Sequence, residues 1–369
     1  MKLVIVLPAY YNFPIGGYHV YYQYANLLSR RGHDVTIVFP RRLMPGRPLV
    51  ARARAALWAM RLRVRNQPLI GSFPLDAQIK VRLLRDLDGG TLPRADVLVA
   101  TAWQTAEVMA GLPARCGRKI YVVYDYEYLM IASPDVRARI EATYRMPYAM
   151  VATSAIVADT IQRCGGEPVA LVPCGVDFDT FGVDVPWEQR DRLTVGFPAR
   201  SETFKGTADA VEAAALLRKR YGSKLNVAAF GSRRLDLPDW IRWYQYPSSS
   251  ELRRFYNAQS VFMVPSHFEG WGLPGVEALA CGAALVTTDN GGCRDYAIDG
   301  KTALVVPPGQ PERLAGAVGR LFDDDGLRCR LAQAGNQFVQ RYTWAEAADN
   351  FEKVLTGVGI DPVRILLRK

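Results

Sequence analysis

Two carboxylates eight residues apart, Glu269 and Glu277, bracket a glycine-rich turn in the segment Pro265-Ser266-His267-Phe268-Glu269-Gly270-Trp271-Gly272-Leu273-Pro274-Gly275-Val276-Glu277-Ala278. The apolar run Val261–Pro265 reads as a strand, and Pro274 suits the first turn of a helix that begins near Leu273. Glycines at 270 and 272 let main-chain amides approach a ligand closely, and a helix N-terminus favours negative charge there. Glu269 would be repelled by phosphate but can accept hydrogen bonds from neutral hydroxyls. Glu277, about one turn inside the helix, is placed for a different hydroxyl of the same ligand. Two hydroxyl-accepting carboxylates flanking an anion-binding turn describe a nucleotide sugar. The plainer alternative is a strand-turn-helix with one capping carboxylate.

A second segment supplies cations. Val195-Gly196-Phe197-Pro198-Ala199-Arg200 leads, five residues on, to Lys205-Gly206 before a helix. Arg and Lys at this spacing after a strand can serve one anionic group, Arg by two parallel hydrogen bonds, unless the loop is merely basic and solvated. Gly16 and Gly17, between the first strand and the first helix, can form a small nest of amides or a plain turn. The stretch Tyr121–Tyr128 follows a strand and carries Asp125 and Glu127. These acids either bind sugar or acceptor hydroxyls or are solvated at an aromatic strand end. Two D-x-D strings, Asp86-Leu87-Asp88 and Asp177-Phe178-Asp179, follow no nucleotide-binding strand and read as surface acids rather than metal ligands.

The segment 265–278 resembles the E-x7-E signature of retaining glycosyltransferases of family four, which have the GT-B fold. That resemblance implies that Glu269 contacts the transferred sugar and Glu277 holds the ribose. It further implies that Arg200 and Lys205 clamp the donor diphosphate, and that the turn Gly270, Trp271, Gly272, Leu273 and the Gly16-Gly17 loop face the donor phosphates. Val172–Asp177 with Phe181 is similar to the family's G-V-D-x-x-x-F interdomain segment, with Cys174 where Asn is usual. Thr287–Asp295 resembles its T-x-x-G-G-x-x-E loop, with the shorter Asp295 in place of Glu. Many members carry a histidine near the sugar; this chain has Asp125 and Glu127 there. Together with Thr101–Ala106, these acids are similar to a rhamnosyltransferase subgroup with a Q-D-Y-E-like segment. The resemblance implies a nucleoside diphosphate sugar donor, weighted toward a 6-deoxyhexose such as rhamnose on dTDP or UDP. It implies transfer with retention to a hydroxyl of a glycolipid or surface polysaccharide precursor, the leaving phosphate taking the acceptor's proton. No metal and no other cofactor is expected. A nucleotide-sugar epimerase and a non-catalytic nucleotide-sugar-binding subunit are the alternatives.

Elements must hold these residues in place. Apolar runs at Leu3–Pro8, Val35–Phe39, Asp96–Ala102, Lys119–Tyr124, Met150–Thr153 and Pro168–Val172 alternate with amphipathic stretches such as Tyr18–Arg31. Strands apolar on both faces between helices argue for a doubly wound parallel sheet. After a polar connector at 178–190 the pattern restarts, with strands at Leu193–Pro198, Leu225–Phe230, Val261–Pro265, Ala284–Thr287 and Ala303–Val306. Helix Thr207–Tyr221 ends on Arg218-Lys219-Arg220 and Gly222, favourable at a negative dipole end. Helices Pro311–Phe322, Leu327–Arg341 and Trp344–Thr356 follow. The expected architecture is α/β, GT-B: two Rossmann-like domains facing a central cleft. Residues 1–177 form the acceptor domain, 178–343 the donor domain, and 344–369 a helix and tail crossing back to the first.

The 369 residues suffice for about two domains. Apolar residues at 49% and charged residues at 22% exclude a disordered or collagen-like chain. No apolar run approaches the ~20 residues of a membrane span, and the start shows no signal-peptide pattern. Six cysteines without a C-x-x-C pair suit a reducing compartment, and three histidines without metal spacing argue against zinc. A cytoplasmic protein is expected. The net charge of +10 suits an anionic partner, though no motif points to nucleic acid. Eight arginines lie between Arg41 and Arg65, with no acid from Val35 to Leu75. As a helix, Leu49, Val50, Ala53, Leu57, Met60 and Val64 share one arc flanked by arginines, which suits docking of residues 41–65 on an anionic membrane face. Trp58 and Leu62 fall opposite, and a basic helix lining the acceptor side or packed on the sheet is the alternative.

Overall fold

A computed structural model describes residues 1–10, 16–40, 57, 70, 73–125, 133–167 and 169–357. The chain divides into two compact units. One comprises 1–153, 157–172 and 345–369, and the other 154–156 and 173–344.

The first unit is built on a parallel sheet in the order β3-β2-β1-β4-β5-β6-β7. Its strands are β1 (Lys2–Val6), β2 (Asp34–Pro40), β3 (Lys80–Leu84), β4 (Val97–Ala100), β5 (Arg118–Val123), β6 (Ala149–Ala152) and β7 (Ala170–Leu171). Leu3 to Val6 and Val97 to Ala100 are all buried, as expected of strands covered on both faces. Helix α1 (Gly16–Arg30) follows β1; α2 (Trp103–Ala110), α3 (Pro134–Tyr144) and α4 (Ala155–Arg163) connect later strands. A cavity of about 650 Å³ is lined by Gly117, Arg118, Lys119, Tyr148 and neighbours. Its cations are committed: Lys119 donates to Leu112 O at 2.6 Å and Arg118 to Val354 O at 2.7 Å.

The second unit repeats the plan with order β10-β9-β8-β11-β12-β13, again parallel. The strands are β8 (Thr194–Pro198), β9 (Asn226–Gly231), β10 (Ile241–Gln245), β11 (Val261–Val264), β12 (Ala284–Thr288) and β13 (Leu304–Val306). Helices are α5 (Thr207–Tyr221), α6 (Ser249–Asn257), α7 (Leu273–Ala280), α8 (Pro311–Asp323) and α9 (Asp325–Val339). A core of Val195, Phe197, Val227, Met263, Val286, Val318 and Leu331 sits between sheet and helices.

The helix α10 (Trp344–Thr356) belongs to the first unit. Glu352 binds Arg31 and His33, each at 2.7 Å, and Phe351 packs on Tyr24 with ring centroids 4.7 Å apart. Strands β3 and β10 were absent from the sequence expectation. Lys80-Val81-Arg82-Leu83-Leu84 carries charge inside a short edge strand, and Ile241–Gln245 shows no apolar run. Edge strands are paired on one side only and tolerate such residues.

Candidate functional site

Strand order reverses between β8 and β11, which are neighbours in the sheet, and the loops leaving their carboxyl ends diverge into a crevice at such a point. Arg200 and Lys205 sit on the first loop, and Glu269 and the glycine turn on the second. Local packing locks the two loops together. Gly206 has φ +65°, a left-handed conformation suited to glycine, and a Cβ there would fall 2.1 Å from Pro265 O. The His267 amide donates to Phe204 O at 2.7 Å, and His267 Nε2 lies 2.7 Å from Asp209 Oδ2 on α5.

This contact brings Lys205 onto Glu269. Lys205 Nζ lies 2.9 Å from Glu269 Oε2, and Ser266 Oγ donates to Oε1 at 2.8 Å. Both side chains of the pair are mostly shielded, 21% and 13% exposed. The Glu269 main chain is held too, donating to Asn290 O and accepting from the Gly292 amide, each at 3.0 Å. Arg200 has a different environment. Its Nη1 donates to Ala199 O at 3.1 Å and Phe230 O at 3.4 Å, and the guanidinium stacks 5.5 Å above the Phe230 ring. Among the described residues it forms no ion pair.

The turn between the carboxylates is shaped by one tyrosine. Gly272 (φ +89°) precedes α7, and a Cβ on Gly275 would meet Tyr296 Oη at 2.5 Å. Tyr296, wholly buried, donates to Gly272 O at 3.1 Å. The Trp271 side chain is also wholly buried, edge-on to Tyr296 and Tyr342. What Trp271 can offer a ligand is therefore its main-chain amide. Glu277 lies one turn into α7 and accepts from Tyr256 Oη at 2.8 Å. Burial pushes its carboxyl up to about 7; the Tyr256 hydrogen bond and the Arg200 charge pull it down, and the Asp177 charge raises it. Asp295, at the end of the turn Gly292–Asp295, is raised by burial.

In the first unit, Gly16 and Gly17 open α1, and Asp125 is half-buried just beyond β5. Glu127 lies outside the described residues, and so does the basic segment 41–65 apart from Leu57. Both D-x-D strings serve local turns. Asp88 accepts from the Gly90 and Thr91 amides at 2.8 Å, and Asp177 from Thr180 Oγ1 at 2.6 Å. Among the described residues, no group of three His, Cys, Asp or Glu side chains is arranged to hold a metal ion. Sequence reasoning assigned nothing to Ser266, Asp209 or Tyr256. Ser266 stands three residues before Glu269 and was open to detection; Asp209 and Tyr256 come from other elements and left no local signal.

Two Rossmann-like units, one with cations and carboxylates gathered at its switch point beside a glycine turn, define the GT-B architecture. Residues 16–180 match the family model described as Glycosyltransferase Family 4, and residues 186–338 match Glycosyl transferases group 1. Together the two models cover most of the chain, and its fold is that of the GT-B glycosyltransferases. Among curated proteins it is 30% identical over 227 residues to a D-inositol 3-phosphate glycosyltransferase of Xylanimonas cellulosilytica, covering 54% of each chain. It is 31% identical over 222 residues to the protein of that name from Acidothermus cellulolyticus, covering 53% of this chain and 48% of that one. The chain spans about half the length of the curated relatives it matches. In fold it is similar to sucrose-phosphate synthase of Thermosynechococcus elongatus (TM-score 0.73, 16% identity, 96% and 98% of the two chains). It is also similar to Anabaena HepE solved with UDP-glucose (TM-score 0.73, 16% identity, 97% and 100%). No helix among the described residues is long and apolar enough to cross a membrane.

Proposed function

We propose that this protein is a retaining glycosyltransferase that moves a sugar from a nucleoside diphosphate sugar to an acceptor hydroxyl. The observation that carries this reading is the meeting of Lys205 and Glu269 at 2.9 Å beside the glycine turn, on the edge that also carries Arg200 and Glu277. Arg200 and Lys205 take the diphosphate, and the amides of Gly270, Trp271, Gly272 and Leu273 add donors to its oxygens. Glu269 accepts from hydroxyls of the transferred sugar and Glu277 from the ribose.

In the reaction the glycosyl–oxygen bond to the diphosphate breaks as the acceptor oxygen bonds to the anomeric carbon on the same face. The departing phosphate oxygen takes the acceptor's proton. Negative charge grows on that oxygen, and fixed cations in a water-poor crevice stabilise it without reorganisation. These two cations supply what a divalent ion would otherwise supply, so the reaction proceeds without metal. Asp125 and Glu127, with Gly16 and Gly17, are proposed to serve the acceptor and donor from the first unit.

The acceptor is proposed to be a glycolipid or surface polysaccharide precursor, with the segment 41–65 meeting an anionic inner membrane face of the cytoplasm. The Thr101–Ala106 and Tyr121–Tyr128 segments support a 6-deoxyhexose as the transferred sugar; the name of the curated relatives supports a phosphorylated polyol as acceptor. Calorimetric titration with dTDP, UDP, GDP and ADP, with and without EDTA, tests the donor site. EDTA-resistant binding of one of them is the expected result. Failure of all four refutes the donor reading. The anomeric proton coupling of the transferred product then reports retention, and a free epimerised sugar nucleotide would instead mark an epimerase.

A further inference from the structure

Behind Glu277 stands a tyrosine whose hydroxyl has Glu277 as its one hydrogen-bond partner among the described residues. Tyr256 is the penultimate residue of α6, fully buried, with its ring edge-on to Phe262 (5.1 Å), Phe181 and Phe230 (both 5.9 Å). Its hydroxyl donates to Glu277 Oε2 at 2.8 Å. Glu277 Oε1 has no protein partner among the described residues.

The spacing between the two helices is held separately. Arg190, 5% exposed, donates to Tyr256 O at 3.3 Å and Gln259 O at 2.9 Å beyond the end of α6, and to Cys281 O just beyond the end of α7. One guanidinium thus fastens the last turns of both helices, so the Tyr256 hydroxyl cannot drift from the Glu277 carboxylate without breaking buried hydrogen bonds. An apolar residue at 256 could fill the same aromatic pocket, so packing alone does not call for a hydroxyl there. A buried hydroxyl with a single partner is costly to keep unless that partner needs it.

We infer that Tyr256 is a positioning residue: it grips Glu277 by Oε2 and so presents Oε1 as the acceptor for ligand hydroxyls. This rests on the donor-site reading above. The grip is durable because burial, with the nearby Glu277 charge, holds the Tyr256 phenol well above its ordinary value, so it always donates. The donated hydrogen bond also favours the ionised carboxylate, which is the better acceptor. Besides burial, the groups that set this ionisation are Tyr256 from α6, Arg200 beyond β8 and Asp177 from the segment before the second sheet; Cys281, beyond the end of the same helix, is itself raised by the Glu277 charge.

The test is the pH dependence of binding of whichever of UDP, GDP, ADP or dTDP the wild type binds most tightly, measured from pH 6 to 9. Wild-type affinity is expected to fall at least fivefold toward pH 6 with a midpoint near 7. In Tyr256→Phe the midpoint moves up by half a pH unit or more, while affinity at pH 9 stays within threefold of wild type. Site-specific 3-fluorotyrosine at 256 keeps the ring and strengthens the donor, so it moves the midpoint down and covers the case of an unstable phenylalanine variant. Carbon-13 NMR of labelled glutamate in the ligand-free protein, with Glu277 assigned by its loss in Glu277→Gln, follows the same midpoints directly. A uniform loss of affinity at every pH, or midpoints that do not move, overturns the inference alone. A wild type that binds none of the four overturns the donor reading and this inference with it.

Discussion

Replacing Lys205 with methionine leaves Glu269 with its charge and without its cation, and the structure says how large the effect is. At 2.9 Å and an effective dielectric of about 20, the raw attraction is about 6 kcal/mol. Desolvation of both groups and the ordering of two side chains offset most of it. For a pair exposed by 21% and 13%, the net loss expected in Lys205→Met is about 1–3 kcal/mol, below the ~3–5 kcal/mol of a fully buried pair. In a unit of this size that is a fall in melting temperature of roughly 3–10 °C. Adding Glu269→Gln removes the stranded charge, so the double variant recovers to within about 1 kcal/mol of wild type. Turnover does not follow stability. Under the role proposed for Lys205 in stabilising charge on the leaving phosphate, both the single and the double variant are expected to lose on the order of a hundredfold or more in kcat. Glu269→Gln alone removes the competing carboxylate beside Lys205 and should bind a nucleoside diphosphate more tightly than wild type while turning over more slowly. Differential scanning calorimetry and donor-consumption kinetics on the four proteins complete the cycle. Equal destabilisation of the single and double lysine variants would refute the pairing argument, and near-normal turnover in Lys205→Met would refute the role on the diphosphate.

Other expectations are open to direct measurement. Gly275→Ala should destabilise by about 1–3 kcal/mol through the 2.5 Å approach to Tyr296 Oη, and Tyr296→Phe in the same chain should recover part of it, read by thermal melts. A carboxyl moved from 4.5 to about 7 binds a proton in the folded state that the unfolded state has lost, so Glu277 lowers stability as pH rises from 4.5 through 7. Glu277→Gln should therefore be more stable than wild type at pH 8, by up to about 3 kcal/mol, and equal to it below pH 4; denaturant melts at both values decide it. Asp125→Asn should cut turnover substantially with intact donor binding, and unchanged kinetics would remove Asp125 from the site. EDTA should leave both nucleotide binding and turnover unaltered.

The residues differ in how readily the sequence revealed them. Fully covered strands such as Leu3–Val6 and Val261–Val264 announce themselves as unbroken apolar runs, and helix α5 is punctuated by basic residues and Gly222. The E-x7-E turn is equally local, because strand, glycines and helix start are consecutive. By contrast, Tyr256 looks like one more aromatic in Arg254-Phe255-Tyr256, and only the approach of α6 to α7 shows its hydroxyl on a carboxylate. The Lys205–Glu269 pair joins positions 64 apart and needs the left-handed Gly206 seated on Pro265. The side chain of Trp271 was open to either direction from sequence, and its edge-on packing against buried Tyr296 and half-buried Tyr342 holds it in the core.

Helix α10 carries a consequence for synthesis. The first unit is interrupted after residue 172 and resumes at 345, so Arg31 and His33 wait for Glu352 until the whole second unit has been made. At ~5–20 residues per second, making the second unit alone takes roughly ten to thirty seconds, during which it can fold while the first lacks its closing helix. Apart from residues 154–156, the second unit is thus an insert within its host. Trimming the chain before Phe351 would uncover Tyr24 and weaken a unit more than three hundred residues upstream in sequence.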